Sequence, residues 1–75
     1  MIRRVPYLQY LPAFDAVARC GSVRTAAEQL NLSPGAVSLQ IKKLSDSIGV
    51  PLFERSGRAL RLSSAGKSFA HSVSS

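Results

Sequence analysis

The chain has 75 residues, of which 45% are hydrophobic, and its formal net charge is +6. That length allows one small domain, and the single cysteine excludes an internal disulfide, so apolar packing must hold the fold and a reducing compartment suits it. The positive charge favours a polyanionic partner, while the lack of a long apolar run excludes a membrane span or a signal-peptide core and favours the cytoplasm.

The first predicted helix runs from about residue 8 to residue 20, after a loose basic arm at residues 1–6. Pro12 is compatible with this helix only in its first turn, because an interior proline removes a hydrogen bond and clashes with the preceding turn. Gly21 suits the end of the helix. The apolar residues that cluster on one side of it are Tyr7, Leu11, Phe14, Val17 and Ala18.

Two further helices, at residues 23–30 and 34–48, are predicted with a tight turn between them. Asn31 suits the left-handed residue that often follows a helix end. Ser33 is a good N-cap for the next helix, and Pro34 stands at its first position, where the missing N–H costs nothing. Two helices joined by so short a turn predict a helix-turn-helix.

The third helix has two different faces when its residues are placed about 100° apart. The apolar stripe consists of Val37, Ile41, Leu44 and Ile48. The opposite face consists of Gly35, Ser38, Leu39, Lys42 and Asp46. We therefore expect one side to pack on a core, while the other is small, polar and partly basic. A helix of this kind can enter the major groove of DNA.

A small β-hairpin, or wing, is predicted at about residues 52–62. Strand alternation places Leu60 and Leu62 inward and Arg61 outward, with a turn at residues 56–58. Such a hairpin attached to a helix-turn-helix predicts a winged helix-turn-helix.

A fourth helix is predicted from about residue 64 to residue 75, capped by Ser63 or Ser64. Its apolar residues are Phe69 and Val73. No stop pattern follows them, so we expect the chain to be an excised domain spanning residues 1–75. The predicted fold class is mainly α with a small β-hairpin.

The start of the third helix carries the residues predicted to contact bases, because N-terminal residues of a recognition helix usually do so. They are Ser33, Pro34, Gly35, Ser38 and Leu39. Basic side chains on the same helix and on the hairpin are predicted to contact phosphates, which fix register without reading sequence. They are Lys42, Lys43, Arg55, Arg58 and Arg61. The alternatives are an exposed helix face without a partner and ordinary surface charge.

No catalytic, metal or cofactor site is predicted. Cys20 suits a half-buried small hydrophobe, and His71 has no second ligand in view. The acids are spread singly, and no nucleophile triad or Gly-rich phosphate loop is present, so the sequence offers no chemistry for a hydrolase or transferase.

Two other classes of function fit the sequence less well than DNA binding. A protein-interaction module would need an apolar exposed face, which Leu39 fits but Lys42, Lys43 and the basic wing do not. A membrane-surface role is disfavoured because the aromatic residues fall on core stripes and not beside the basic face.

Two stretches carry a resemblance to a known family. The text FDAVARCGSVRTAAEQLNLSPGAVSLQIKKL, followed by IGVPLFERSGRALRLSSAG, resembles the N-terminal domain of LysR-type transcriptional regulators. The agreement covers roughly residues 7–69, nearly the whole chain. The opening VPYLQYLPAFDA is similar to the branch that includes the glycine cleavage activator. The chain departs from the family pattern at three places. Leu39 stands where arginine is frequent, Ser45 and Ser47 stand where acidic residues are common, and SSAG lacks the usual acidic residue of the linker helix.

The resemblance implies a winged helix-turn-helix that binds double-stranded promoter DNA sequence-specifically, with the recognition helix in the major groove and the wing on the adjacent backbone or minor groove. It implies that the fourth helix is the truncated start of a linker helix. The full-length protein would form a homodimer or a tetramer, whereas dimerisation of this fragment would be weak or absent. A small-molecule effector would act only through a C-terminal domain, and neither enzymatic activity nor a cofactor is implied.

Overall fold

Four α-helices and one β-hairpin form the described part of the computed structural model, which comprises residues 8–74. The elements are, in chain order, a 3₁₀ turn Leu8–Tyr10, α1 Leu11–Cys20, α2 Val23–Leu30, α3 Pro34–Ile48, β1 Phe53–Ser56, β2 Ala59–Leu62 and α4 Ser64–Ser74. The predicted arm at residues 1–6, together with Tyr7, lies outside the described residues. None of the helices within residues 8–74 has the length and apolarity to span a membrane.

Local chemistry explains where the first two helices begin and end. Pro12 lies in the first turn of α1, as predicted, where no intrahelical donor is lost. Gly21 follows α1 with a φ of 69°, a left-handed conformation that residues with a Cβ disfavour. The Ser22 hydroxyl accepts a hydrogen bond from the Thr25 N–H at 3.2 Å and so caps α2.

One part of the core lies where α1, α2 and α3 meet. Its fully buried members are Ala13, Ala16, Val17, Ala26, Ala27 and Val37. Four of these six residues are alanines, whose small size allows the helix backbones to approach closely. The predicted stripe of the first helix omits Ala13 and Ala16, whereas Leu11 and Ala18, which it includes, are only half-buried. The buried face of α1 is broader than that stripe because α1 packs against α2, α3 and the hairpin.

The other part of the core is aromatic and joins α1 to the wing and α4. Phe14 lies at its centre, with ring centroids 5.5 Å from Phe53 and 5.1 Å from Phe69, the latter edge-to-face. Leu44 and Leu52 have no exposed surface and complete this cluster. Leu52 therefore belongs to the core before the wing, and β1 begins one residue later than the predicted strand.

β1 and β2 form a two-stranded antiparallel sheet. The paired residues are Phe53–Leu62, Glu54–Arg61, Arg55–Leu60 and Ser56–Ala59. Gly57 begins the two-residue turn with a φ of 65°, which fits a type II′ hairpin turn with glycine at its first position. Ser56 lies in β1, so the turn is one residue shorter than predicted. Leu60 and Leu62 are half-buried and Arg61 is exposed, as strand alternation predicts.

Ser63 fixes the start of α4 to the segment that precedes the wing. Its hydroxyl donates to the Pro51 carbonyl at 2.8 Å and accepts from the Gly66 N–H at 3.0 Å. Its own N–H donates to the Leu52 carbonyl at 3.0 Å. Ser63 rather than Ser64 is therefore the N-cap of α4. The helices and the hairpin together form the predicted winged helix-turn-helix.

Candidate nucleic-acid interface

The turn between α2 and α3 is held by its own side chains and backbone. Asn31 has the left-handed conformation predicted for it, with φ 57° and ψ 42°. The Ser33 hydroxyl accepts from the Ala36 N–H at 3.1 Å, which confirms Ser33 as the N-cap of α3. Pro34 lies in the first turn of that helix. These local constraints fix the exposed start of α3 relative to α2.

α3 buries one side and exposes the other, as its sequence predicts. Val37 and Leu44 have no exposed surface, while Ile41 and Ile48 are half-buried against the two core clusters. The residues predicted to contact bases are all exposed, namely Ser33, Pro34, Gly35, Ser38 and Leu39. Their exposure leaves the N-terminal half of α3 open to a partner.

The two lysines of α3 differ in their surroundings. Lys42 and Lys43 are both exposed, but the Lys42 ammonium lies 3.4 Å from a carboxylate oxygen of Asp46. Both side chains of this pair are about two-thirds or more exposed, at 72% and 67%, so water screens the attraction. The sequence predicts Lys42 and Asp46 on one face of α3 but not their pairing, which their i, i+4 spacing could have revealed.

The hairpin carries its arginines on different surfaces. Arg58 lies at the tip, in the turn, whereas Arg55 lies opposite Leu60 and therefore on the same sheet face as that half-buried residue. Arg61 lies on the other sheet face, with its Nε 3.9 Å from a carboxylate oxygen of Glu54. Strand alternation relates residues within one strand, so separating Arg55 on β1 from Arg61 on β2 requires the register of the pair.

Ion pairing leaves an excess of positive charge on α3 and the wing. Three of the four acidic residues form ion pairs. The pairs are Asp15 with Arg19, Asp46 with Lys42 and Glu54 with Arg61. Within residues 8–74, Lys43, Arg55 and Arg58 make no such pair. No polar or charged residue of this part of the chain is buried, so every candidate phosphate contact is accessible.

These exposed groups are hydrogen-bond donors and acceptors and positive charges that can bind a polyanion. A serine hydroxyl can donate to or accept from a base edge, and ammonium or guanidinium groups can donate to phosphate oxygens. Residues 8–74 contain no cluster of His, Cys, Asp and Glu side chains that could hold a metal. A groove of about 500 Å³ beside the C-terminal half of α3 includes Lys42 among its lining residues but none of the other predicted contacts.

Comparison with protein families gives a match over most of the chain. Residues 8–67 match the model of the bacterial regulatory helix-turn-helix protein, lysR family. The matched segment begins at the 3₁₀ turn and ends in the first turns of α4, so it includes the helix-turn-helix and the complete wing.

Individual proteins support the same assignment. The HTH-type transcriptional regulator CbbR of Rhodospirillum rubrum is 51% identical over 67 residues, covering 88% of this chain and 22% of that protein. The glycine cleavage system transcriptional activator of Escherichia coli K12 is 46% identical over 69 residues, covering 92% of this chain and 23% of that protein. The chain thus spans about a fifth of the length of these relatives, which are named as transcriptional regulators and not as enzymes.

A solved structure shows the same fold. The DNA-binding domain of CbnR, crystallised as a complex with DNA, superposes with a TM-score of 0.81 at 35% identity, covering 88% of this chain and 76% of that chain. Sequence, fold and matched segment agree, and the chain belongs to the lysR family of bacterial regulatory helix-turn-helix proteins.

Proposed function

We propose that this chain is the DNA-binding domain of a LysR-type transcriptional regulator and binds double-stranded DNA in a sequence-dependent manner. The start of α3 lies in the major groove, and the wing lies on the adjacent backbone or minor groove. The observation that carries the proposal is the exposed, rigidly capped start of α3, with unpaired basic side chains on the same helix and on the hairpin. The complex of the similar CbnR domain with DNA supports this assignment.

The residues divide into two roles under this proposal. Base contacts come from the first turns of α3, namely Ser33, Pro34, Gly35, Ser38 and Leu39. Phosphate contacts come from Lys42, Lys43, Arg55 and Arg58. Gly35 allows a partner to approach its backbone closely, because it has no side chain and the space beside it is open. The first set would give sequence discrimination, and the second would give affinity and register.

The wider setting of the domain is part of the proposal. The relatives are about four to five times longer than the matched segment, and such a regulator would act as a homodimer or tetramer on promoter DNA in the cytoplasm. A small-molecule effector would bind a separate domain of the full-length protein.

The test is selection of preferred sites from a pool of random duplexes, followed by titration of the chain with a selected duplex and with a scrambled duplex of equal composition. We expect tighter binding to the selected duplex, and an affinity that falls by roughly 0.9 log units per phosphate contact for each tenfold rise in salt. If the chain binds no duplex at low salt, the proposal is wrong. Equal affinity for selected and scrambled duplexes would reject sequence-dependent binding.

A further inference from the structure

Leu39 is a large apolar side chain on the exposed side of α3, where the core cannot receive it. It is 52% exposed, and it is not among the apolar side chains that pack against either core cluster. A single exposed leucine is ordinary on a protein surface, so exposure alone assigns no role. The position of Leu39 within α3 is what distinguishes it.

The surroundings of Leu39 leave its side chain open toward the start of the helix. Side chains in a helix lean toward its N-terminus, so Leu39 extends over the turn that contains Gly35. Gly35 has no side chain, and the space where its Cβ would stand is empty to 4 Å. Leu39 is therefore exposed close to the helix end that, in a recognition helix, approaches the bases.

The neighbours of Leu39 favour nucleic acid over a protein as its partner. Ser38 precedes it, and Lys42 and Lys43 follow it, all of them exposed. The other large apolar side chains exposed in residues 8–74 lie outside α3, and they are Leu8, Leu32, Val50 and Val73. Within α3, Leu39 is therefore the one large apolar side chain that is exposed, and its neighbours along the exposed face are polar and basic, which favours nucleic acid as the partner.

We propose that Leu39 is a specificity-determining residue that selects thymine by packing on its C5 methyl group in the major groove. The C5 methyl group of thymine is the apolar feature that base pairs present in the major groove, and apolar side chains contact it. The proposal rests on the DNA-binding function proposed above and adds to it a single base preference. Ser38 and the lysines alone would not favour thymine at this position.

The experiment replaces thymine with uracil at each position of a selected duplex in turn, because this exchange removes the methyl group and leaves the hydrogen-bonding edge unchanged. We expect the wild-type chain to bind about two- to fivefold more weakly when one particular thymine of each half-site is exchanged. This loss of affinity is smaller than the loss that follows removal of a bidentate base contact. Leu39→Ala should bind the thymine and uracil duplexes equally. Leu8→Ala is the matched control, because Leu8 is 55% exposed but lies outside α3, and it should retain the wild-type methyl effect.

Two further readouts separate base reading from a structural role. Leu39→Ala should unfold in urea at the wild-type midpoint, since the side chain packs on neither core cluster. In a repeated site selection, Leu39→Arg should move the preference at the same base step from thymine to guanine, because arginine pairs with guanine in a bidentate manner.

The outcomes distinguish this proposal from the one on which it rests. Sequence-dependent binding without any thymine whose methyl group matters would overturn the role of Leu39 and leave the DNA-binding function intact. A clear loss of stability in Leu39→Ala, with unchanged base preference, would make Leu39 a structural residue. Absence of duplex binding would overturn both proposals together.

Discussion

Gly66 has no side chain, which lets the first turn of α4 pack closely against the backbone before the wing. It is buried in the first turn of α4, against the backbone of Leu52. A Cβ at this position would overlap the Leu52 carbonyl oxygen. The backbone oxygen cannot move aside as a flexible side chain could, because the Ser63 N–H is hydrogen-bonded to it. Glycine is therefore required here by close approach.

Gly66→Ala should lower the free energy of unfolding by about 2 kcal/mol, as expected for overpacking against a fixed backbone. The measurement is urea denaturation of the variant and the wild-type chain. Gly35→Ala is the matched control, because Gly35 is also helical but has open space around its Cβ position. It should keep or raise the stability, by up to about 1 kcal/mol. Equal stability of both variants would contradict the contact.

At the residue scale the sequence predicts the features that local chemistry determines. The roles of Asn31, Ser33 and Pro34 follow from cap preferences that act within one turn. Burial of Ala13 and close packing of Gly66 depend instead on segments distant in sequence. Small residues give no strong periodic pattern, so only the assembled structure reveals these two positions.

At the scale of the element, α3 combines an apolar face that holds it in the core with a polar face that carries an internal ion pair. The Lys42–Asp46 pair places a carboxylate on the surface that would face DNA. Asp46 would then repel phosphate and compete with it for the Lys42 ammonium. The element is thus less basic in the free protein than its lysines suggest.

Asp46→Asn should raise affinity for duplex DNA by roughly three- to tenfold at low salt, with the gain decreasing as salt screens the charge. Asp15→Asn on α1 is the matched control, because Asp15 is equally exposed, at 67%, and also pairs with a basic residue four positions away. Both changes raise the net charge by one, so the two variants differ only in where on the protein the negative charge is removed. Fluorescence anisotropy with one labelled duplex measures both variants, and equal gains would contradict a DNA-facing Asp46.

The first three helices were predictable as elements because each has an apolar face and a residue that ends it, and the wing was predictable from strand alternation on either side of a turn. The candidate site was predictable as a face of α3 for the same reason. The placement of Arg55 and Arg61 on opposite faces of the wing could not be predicted without the strand register, which pairs Arg55 with Leu60 and Arg61 with Glu54. The cross-strand pair of Arg61 with Glu54 depends on that register and was not predicted.

At the scale of the whole molecule, the charges of α3 and of the wing would act on one DNA backbone. Lys42→Ala and Arg58→Ala should each weaken binding to all sequences about equally and reduce the salt slope by roughly one. Ser38→Ala should change the ranking of sequences more than the salt slope. Arg19→Ala on α1 removes the same charge as the basic variants and should leave the slope unchanged. Slopes equal to the wild-type value in both basic variants would contradict the phosphate contacts.

Assembly is a second property of the whole molecule. Phe69 is half-buried against Phe14, and Val73 is the large apolar side chain that the described part of α4 exposes. So small an apolar contact gives little association, and we expect this chain to be a monomer or a weak dimer that pairs mainly on DNA with two half-sites. Sedimentation equilibrium measures this state, and a tight dimer at submicromolar concentration would contradict the expectation.

The most direct test of the DNA-binding face is the map of amide chemical shifts during titration of the ¹⁵N-labelled chain with a selected duplex. The proposed function predicts the largest changes at residues 33–43, along the start of α3, and at the wing tip, Gly57 and Arg58. Smaller changes are expected on the side of α1 that faces α4. Changes centred on α1 and α4, with α3 unaffected, would contradict the account.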